Sequence, residues 1–110
     1  MSLQFNDNNF QEQVLNSEIP VLVDFWAPWC PPCRALGPTI DELAVEFNGV
    51  AKVGKLDVDE SQLTAGSFGV SSIPAVLIFH NGKVVETLNG LQDKSAYVDA
   101  LNKALDRVAM

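Results

Sequence analysis

The chain has 110 residues, 47% hydrophobic and 19% charged, which excludes a disordered chain and suits one compact domain, residues 1–110. Seven Lys and Arg against fourteen Asp and Glu give a net charge of −7, and Arg34, Lys52, Lys55, Lys83, Lys94, Lys103 and Arg107 all stand singly. Without a basic stripe to neutralise phosphates, nucleic acid and anionic membrane surfaces are excluded as partners.

The longest unbroken apolar run, Ala75 to Phe79, falls far short of the ~20 residues that cross a bilayer. The first ten residues carry neither a positive nor an apolar segment of a secretory signal, so a soluble, cytoplasmic chain is expected.

Leu3 and Phe5 predict a short first strand, and Phe10, Val14 and Leu15 then fall at helical spacing with Asp7 as the expected N-cap. Val21–Trp26 reads as a strand apolar on both faces, hence central and covered on both sides. A helix is predicted from about Pro31 to Phe47, where Leu36, Ile40, Leu43 and Phe47 repeat at helical intervals and Pro38 should introduce a kink. Residues 50–58 predict the next strand, followed by a short helix around Ser61–Ala65 and an irregular stretch from Gly66 to Ser72. Ala75–Phe79 and Val84–Leu88 flank Asn81-Gly82, a strong hairpin signal. Val98, Leu101, Leu105 and Val108 mark a terminal amphipathic helix.

The order β-α-β-α-β-α-β-β-α makes an α/β protein. Alternating units demand parallel pairing, and the hairpin adds an antiparallel pair. A central mixed five-stranded sheet flanked by four helices on both faces is therefore expected.

The two cysteines, Cys30 and Cys33, close too short a ring to staple a fold. Cys30 stands where strand gives way to helix, and there the free N–H groups and positive end of the helix favour a thiolate. Cys33 follows one turn later, within reach of a mixed disulfide formed at Cys30. A zinc site would need two further Cys or His ligands, and only His80 remains, beside the hairpin turn. An inert buried pair is the remaining alternative, and placement at a strand-to-helix junction favours redox use over it.

Trp26-Ala27-Pro28-Trp29-Cys30-x-x-Cys33-Arg34 resembles the thioredoxin family. So do Asp24 and Phe25 upstream, Pro38, Lys55, Ser72-Ile73-Pro74, Phe79-His80-Asn81-Gly82 and Gly90, so the resemblance spans nearly the whole chain. Asp24 breaks an apolar strand, and burial there should raise its pKa. The resemblance implies a thioredoxin fold in which Asp24 lies beneath the dithiol and exchanges protons with Cys33, and Lys55 is its charge partner. It implies that Pro74 is a cis-proline facing the dithiol and that Ile73 offers backbone hydrogen bonds to an extended substrate. It further implies that Trp26 packs beside the site and that Trp29, Pro31, Pro32, Ile73, Pro74 and Gly90 meet the substrate.

The sequence departs from the family at Pro31-Pro32, where Gly-Pro is usual. Pro31 lacks an N–H and stiffens the loop, and both effects favour the oxidised form and a more reducing couple. Ala75, Asn89, Ser71 and Ser72 also differ from the usual residues. The implied activity is protein-disulfide reduction, with Cys30 attacking and Cys33 resolving. The resemblance also implies that no cofactor or metal is bound and that electrons arrive from a thioredoxin reductase that uses NADPH. Partners would be that reductase and disulfide-containing proteins, met by a monomer. The competing functions are a disulfide oxidase or isomerase and a non-catalytic binding module.

Overall fold

The computed structural model describes residues 2–109. Five strands, β1 (Leu3–Phe5), β2 (Val21–Trp26), β3 (Lys52–Asp57), β4 (Ala75–His80) and β5 (Lys83–Asn89), form one sheet in the order β1-β3-β2-β4-β5. β3 lies parallel to β1 and β2, while β4 is antiparallel to β2 and β5. Four helical segments accompany it: a wide turn at Gln11–Leu15, then α1 (Pro31–Glu46), α2 (Gln62–Ser67) and α3 (Lys94–Ala109). This is the mixed α/β architecture expected from the element order.

Side-chain alternation along β2 divides the core. Leu22 packs with Leu36, Ile40 and Leu43 of α1 and Tyr97 and Leu101 of α3. Val21, Val23 and Phe25 point to the other face, against Phe10, Val14 and Ala65 from the wide turn and α2. Phe10, Phe68 and Phe79 meet there with ring centroids 5.0–5.6 Å apart, in the tilted and edge-on geometries that aromatic quadrupoles favour. Gly54 of β3 lies under Phe5, where a Cβ would come within 2.5 Å of the ring, so only glycine lets β1 close on β3.

Asp7 does not cap its own helix. The Asn6 carboxamide closes the turn that leads into that helix, accepting the N–H groups of Asn8 and Asn9 at 2.9 Å each, while Asn9 Oδ1 accepts the Asn6 N–H at 2.8 Å. Asp7 reaches across to α2 and accepts the Thr64 N–H at 2.9 Å and its hydroxyl at 2.6 Å. The Thr64 hydroxyl bond is the largest cause holding the Asp7 carboxyl below its ordinary range.

α1 runs through Pro38 as one helix. β3 starts at Lys52 rather than residue 50 because the N–H groups of Val50 and Ala51 both turn back onto Phe47 O at 3.0 Å. α2 continues past Ala65 to Ser67, with Phe68 drawn into the aromatic cluster behind it. Asn81 and Gly82 take φ of 55° and 76°, the paired positive values of a tight hairpin turn. Val98 and Leu105 pack on the α1–α3 core and Leu101 is buried in it, while the side chain of Val108 lies outside the described residues.

Candidate active site

Cys30 is the N-cap of α1 and is disulfide-bonded to Cys33, with Cα atoms 5.2 Å apart. Strand β2 delivers the chain to this point. Loop 27–30 is then clasped by the Cys30 N–H on Ala27 O at 3.2 Å and by the Arg34 guanidinium on Pro28 O at 2.9 Å.

Neither Pro31 nor Pro32 has an N–H, so the first backbone donor of the helix is that of Cys33. It donates to Cys30 Sγ at 3.3 Å, and the Arg34 N–H goes to Cys30 O at 3.1 Å. The Cys30 sulfur thus meets the positive end of the helix with one direct backbone donor from its first turn, the arrangement that lowers a thiol pKa.

Ile73 O stands 3.9 Å from Cys30 Sγ on the opposite wall, an acceptor for the S–H of the reduced protein. The Ile73–Pro74 peptide is cis, and Pro74 O accepts the Gly90 N–H at 2.8 Å. That bond ties the loop before β4 to the end of β5. Cys30 and Cys33 retain only 4% and 1% of their accessible surface, and Trp26, Val58 and Ile73 pack against them. Trp29 is 64% exposed, and its indole N–H is bound by Asp59 Oδ2 at 2.6 Å. Pro31 and Pro32 are exposed, whereas Pro74 is buried and Gly90 partly so.

Asp24 is fully buried on the α1–α3 side of β2, and neither carboxylate oxygen has a hydrogen-bond partner. Burial pushes its pKa up to about 7, and the charge of Lys55, its register partner on β3, offsets only part of that rise. The Lys55 ammonium lies 5.6 Å from the centroid of the Trp26 ring and 4.0 Å from Asp41 Oδ1. A carboxyl poised near neutrality can give or take a proton at working pH, which an ordinary aspartate cannot.

His80 closes the far end of β4, about 17 Å of strand from Ala75. Among the described residues no group of three or more His, Cys, Asp or Glu is arranged to hold a metal ion, and no helix is long and apolar enough to cross a membrane.

Val58, Asp59 and Asp41 belong to this neighbourhood but escape a sequence reading. The acidic run from Asp57 to Glu60 reads as a solvated strand exit, and only the fold brings it beside Trp29.

A dithiol–disulfide pair at the start of a helix, facing a cis-proline loop on this sheet, defines the class of thiol–disulfide oxidoreductases. The chain belongs to the thioredoxin family: the family profile described as Thioredoxin matches residues 1–103. It is 48% identical to a thioredoxin of Haemophilus influenzae over 92% of this chain and 94% of that protein. It is 46% identical to a thioredoxin of Rickettsia conorii over 90% and 94%, respectively. A chloroplastic M-type thioredoxin of Spinacia oleracea is 48% identical over 91% of this chain and 55% of its own length. The chain is therefore a protein-disulfide reductase, working by dithiol–disulfide exchange at Cys30 and Cys33.

Proposed function

We propose that Cys30 is the attacking thiol, Cys33 the resolving thiol and Asp24 the proton acceptor between the two steps. In the reduced protein, the Cys30 thiolate attacks one sulfur of a substrate disulfide. A mixed disulfide forms and the other substrate sulfur leaves as a thiolate. The Cys33 thiol passes its proton to the Asp24 carboxylate, through water where the two do not touch, and attacks Cys30 Sγ. The second substrate thiolate leaves, the Cys30–Cys33 disulfide closes, and two electrons have moved to the substrate.

The observation that carries this division of labour is the Cys33 N–H bond to Cys30 Sγ at 3.3 Å, which favours the thiolate on the outer sulfur. Lys55 balances charge beside Asp24. Trp29, Pro31, Pro32, Ile73, Pro74 and Gly90 form the face against which an extended substrate segment lies. A thioredoxin reductase drawing on NADPH recharges the pair, and the chain works in the cytoplasm as a monomeric single domain with no cofactor of its own.

The test is the reduction potential of the Cys30–Cys33 couple, equilibrated against glutathione or dithiothreitol buffers. A potential near or below roughly −270 mV, where thioredoxins as a class lie, supports a reductase role in the cell. One above roughly −200 mV favours an oxidase or isomerase, and absence of a reversible two-electron couple favours a binding module.

Two further results are expected. Pro31→Gly restores an N–H and loosens the loop, which shifts the equilibrium toward the dithiol by about two- to fivefold, a rise of roughly 10–20 mV. The same buffers measure it. Trp29→Ala raises KM for a protein disulfide by about tenfold, the loss of one aromatic anchor. It leaves KM for a small disulfide almost unchanged, and steady-state kinetics on both substrates check the difference.

A further inference from the structure

Asp41, on α1, has no part in the exchange steps described above. We infer that Asp41 is a positioning residue for the Asp24 site, drawing the Lys55 ammonium away from the buried carboxyl. The inference rests on the reading of Asp24 as proton acceptor and adds a residue that sets the pH at which Asp24 works.

Lys55 and Asp24 are register partners on adjacent strands and project from the same face of the sheet. The ammonium runs up to α1, where Gly37 leaves room for it: a Cβ at Gly37 would lie 3.3 Å from Lys55 Nζ. Asp41, one turn further on the same helix face, stands with Oδ1 4.0 Å from that nitrogen. Its carboxylate is itself held. The Ser2 hydroxyl donates to Oδ1 at 2.8 Å and the Ser2 N–H at 3.2 Å. These bonds, the hydroxyl first, keep the Asp41 carboxyl below its ordinary range, so it is ionised at neutral pH. One ammonium, its side chain 17% exposed, therefore stands between a buried carboxyl without a partner and an anchored carboxylate that is 48% exposed.

The Asp41 charge diverts the cation that would stabilise a negative charge at Asp24, so it disfavours ionisation there. On the elements packed around Asp24, Arg34, Glu42 and Glu46 of α1 and Asp99, Lys103, Asp106 and Arg107 of α3 are exposed, Lys52 of β3 reaches Gln13 O, and Lys94 pairs with Glu42 and Glu46. The remaining titratable side chains are Lys55 and Asp57 on β3, Cys33 and Asp41 on α1, and Tyr97 on α3. On β4 its register partner is the apolar Val76. Lys55 is the cation of that set, so whatever holds Lys55 governs how readily Asp24 ionises.

Asp41→Asn tests this while keeping an oxygen to accept the Ser2 donors. The Asp24 carboxyl carbon is followed by 13C NMR titration of the oxidised protein, without turnover. Its midpoint is expected to fall by about half a pH unit. In a Lys55→Met background the same substitution moves the midpoint less than half as far. Ser2→Ala, which removes the hydroxyl and leaves the charge, does not move it. An unchanged midpoint in Asp41→Asn, an equal fall with and without Lys55, or an equal fall in Ser2→Ala would each overturn the inference. Failure of the underlying reading looks different: the pH profile of disulfide reduction would survive Asp24→Asn unaltered, whatever the titration showed.

Discussion

Cys33→Ser halts turnover at the mixed disulfide, leaving a covalent adduct between Cys30 and the substrate that accumulates to about one equivalent per protein. The enclosure of Cys33 explains why nothing replaces it. It is 1% exposed, in the first turn of α1 directly behind Cys30, so an external thiol has little access from that side. Attack by a tethered thiol benefits from effective molarities of up to about 10⁵–10⁸ M, which free thiols in solution cannot approach. Multiple-turnover reduction of a protein disulfide is expected to drop below detection. Mass spectrometry of the quenched reaction shows the adduct, and added dithiothreitol releases it. Cys30→Ser gives no adduct at all, since the sulfur receiving the Cys33 N–H is the one removed. Turnover by Cys33→Ser at even a tenth of the normal rate would sink the assignment of Cys33 as resolving thiol.

Asp24→Asn has the second-largest effect, and it acts on stability and rate in opposite directions. In the unfolded chain Asp24 titrates near 3.8, and burial raises it to about 7 in the folded protein. Between these values the folded state binds a proton that the unfolded state has lost, so stability falls as pH rises through that window. Below about pH 4 both states are protonated and no stability is lost on this account. Above about pH 7 both are ionised and the full loss, on the order of 4 kcal/mol, is in place. Asparagine mimics the protonated acid. The variant should therefore match the parent in denaturant melts near pH 4 and exceed it by a few kcal/mol at pH 8. Its second exchange step slows by about 10- to 100-fold at pH 7, because the proton of Cys33 has lost its acceptor. Equal melts at pH 8, or an unchanged rate of mixed-disulfide resolution, would contradict the prediction.

Much of this site is legible in the amino-acid sequence, and the legible parts share a property. Cys30 and Cys33 are one helical turn apart, Pro31 and Pro32 remove donors in the same turn, and Asn81-Gly82 sets a local hairpin. In each case the physics acts within a few residues of chain. Asp24 is also legible, because a carboxylate inside Val21–Trp26 breaks a pattern that only burial on both faces explains. Asp7 shows the limit. Its position before an apolar helical pattern predicts a cap on its own helix, yet Asn6 and Asn9 form a reciprocal pair in the turn before that helix and Asp7 accepts the Thr64 N–H of α2 instead. Local propensity names a residue able to cap, while the sheet pairing that brings residue 7 beside residue 64 decides which helix it serves. Asp59 and Asp41 are beyond sequence reading for the same reason. Each is one acid among fourteen, and neither spacing nor composition separates the acid that meets Trp29 or Lys55 from those that meet water.

The sequence by itself determined the order of elements, the two-faced central strand, the dithiol at a helix start and the buried acid within that strand. All of these follow from periodicity, capping chemistry and the cost of burying charge, which are properties of short stretches of chain. Only the tertiary structure decided which distant groups share the site: the carbonyl of Ile73 beside Cys30, the carboxylate of Asp59 on Trp29, and the ammonium of Lys55 between Asp24 and Asp41. Those pairings depend on strand order and register, β3 between β1 and β2 and β4 on the far side of β2, which bring together residues 14 to 43 positions apart in the chain. Electrostatic effects fall off over ångströms of space rather than positions in sequence, so the tuning of this dithiol became visible only once the sheet was assembled.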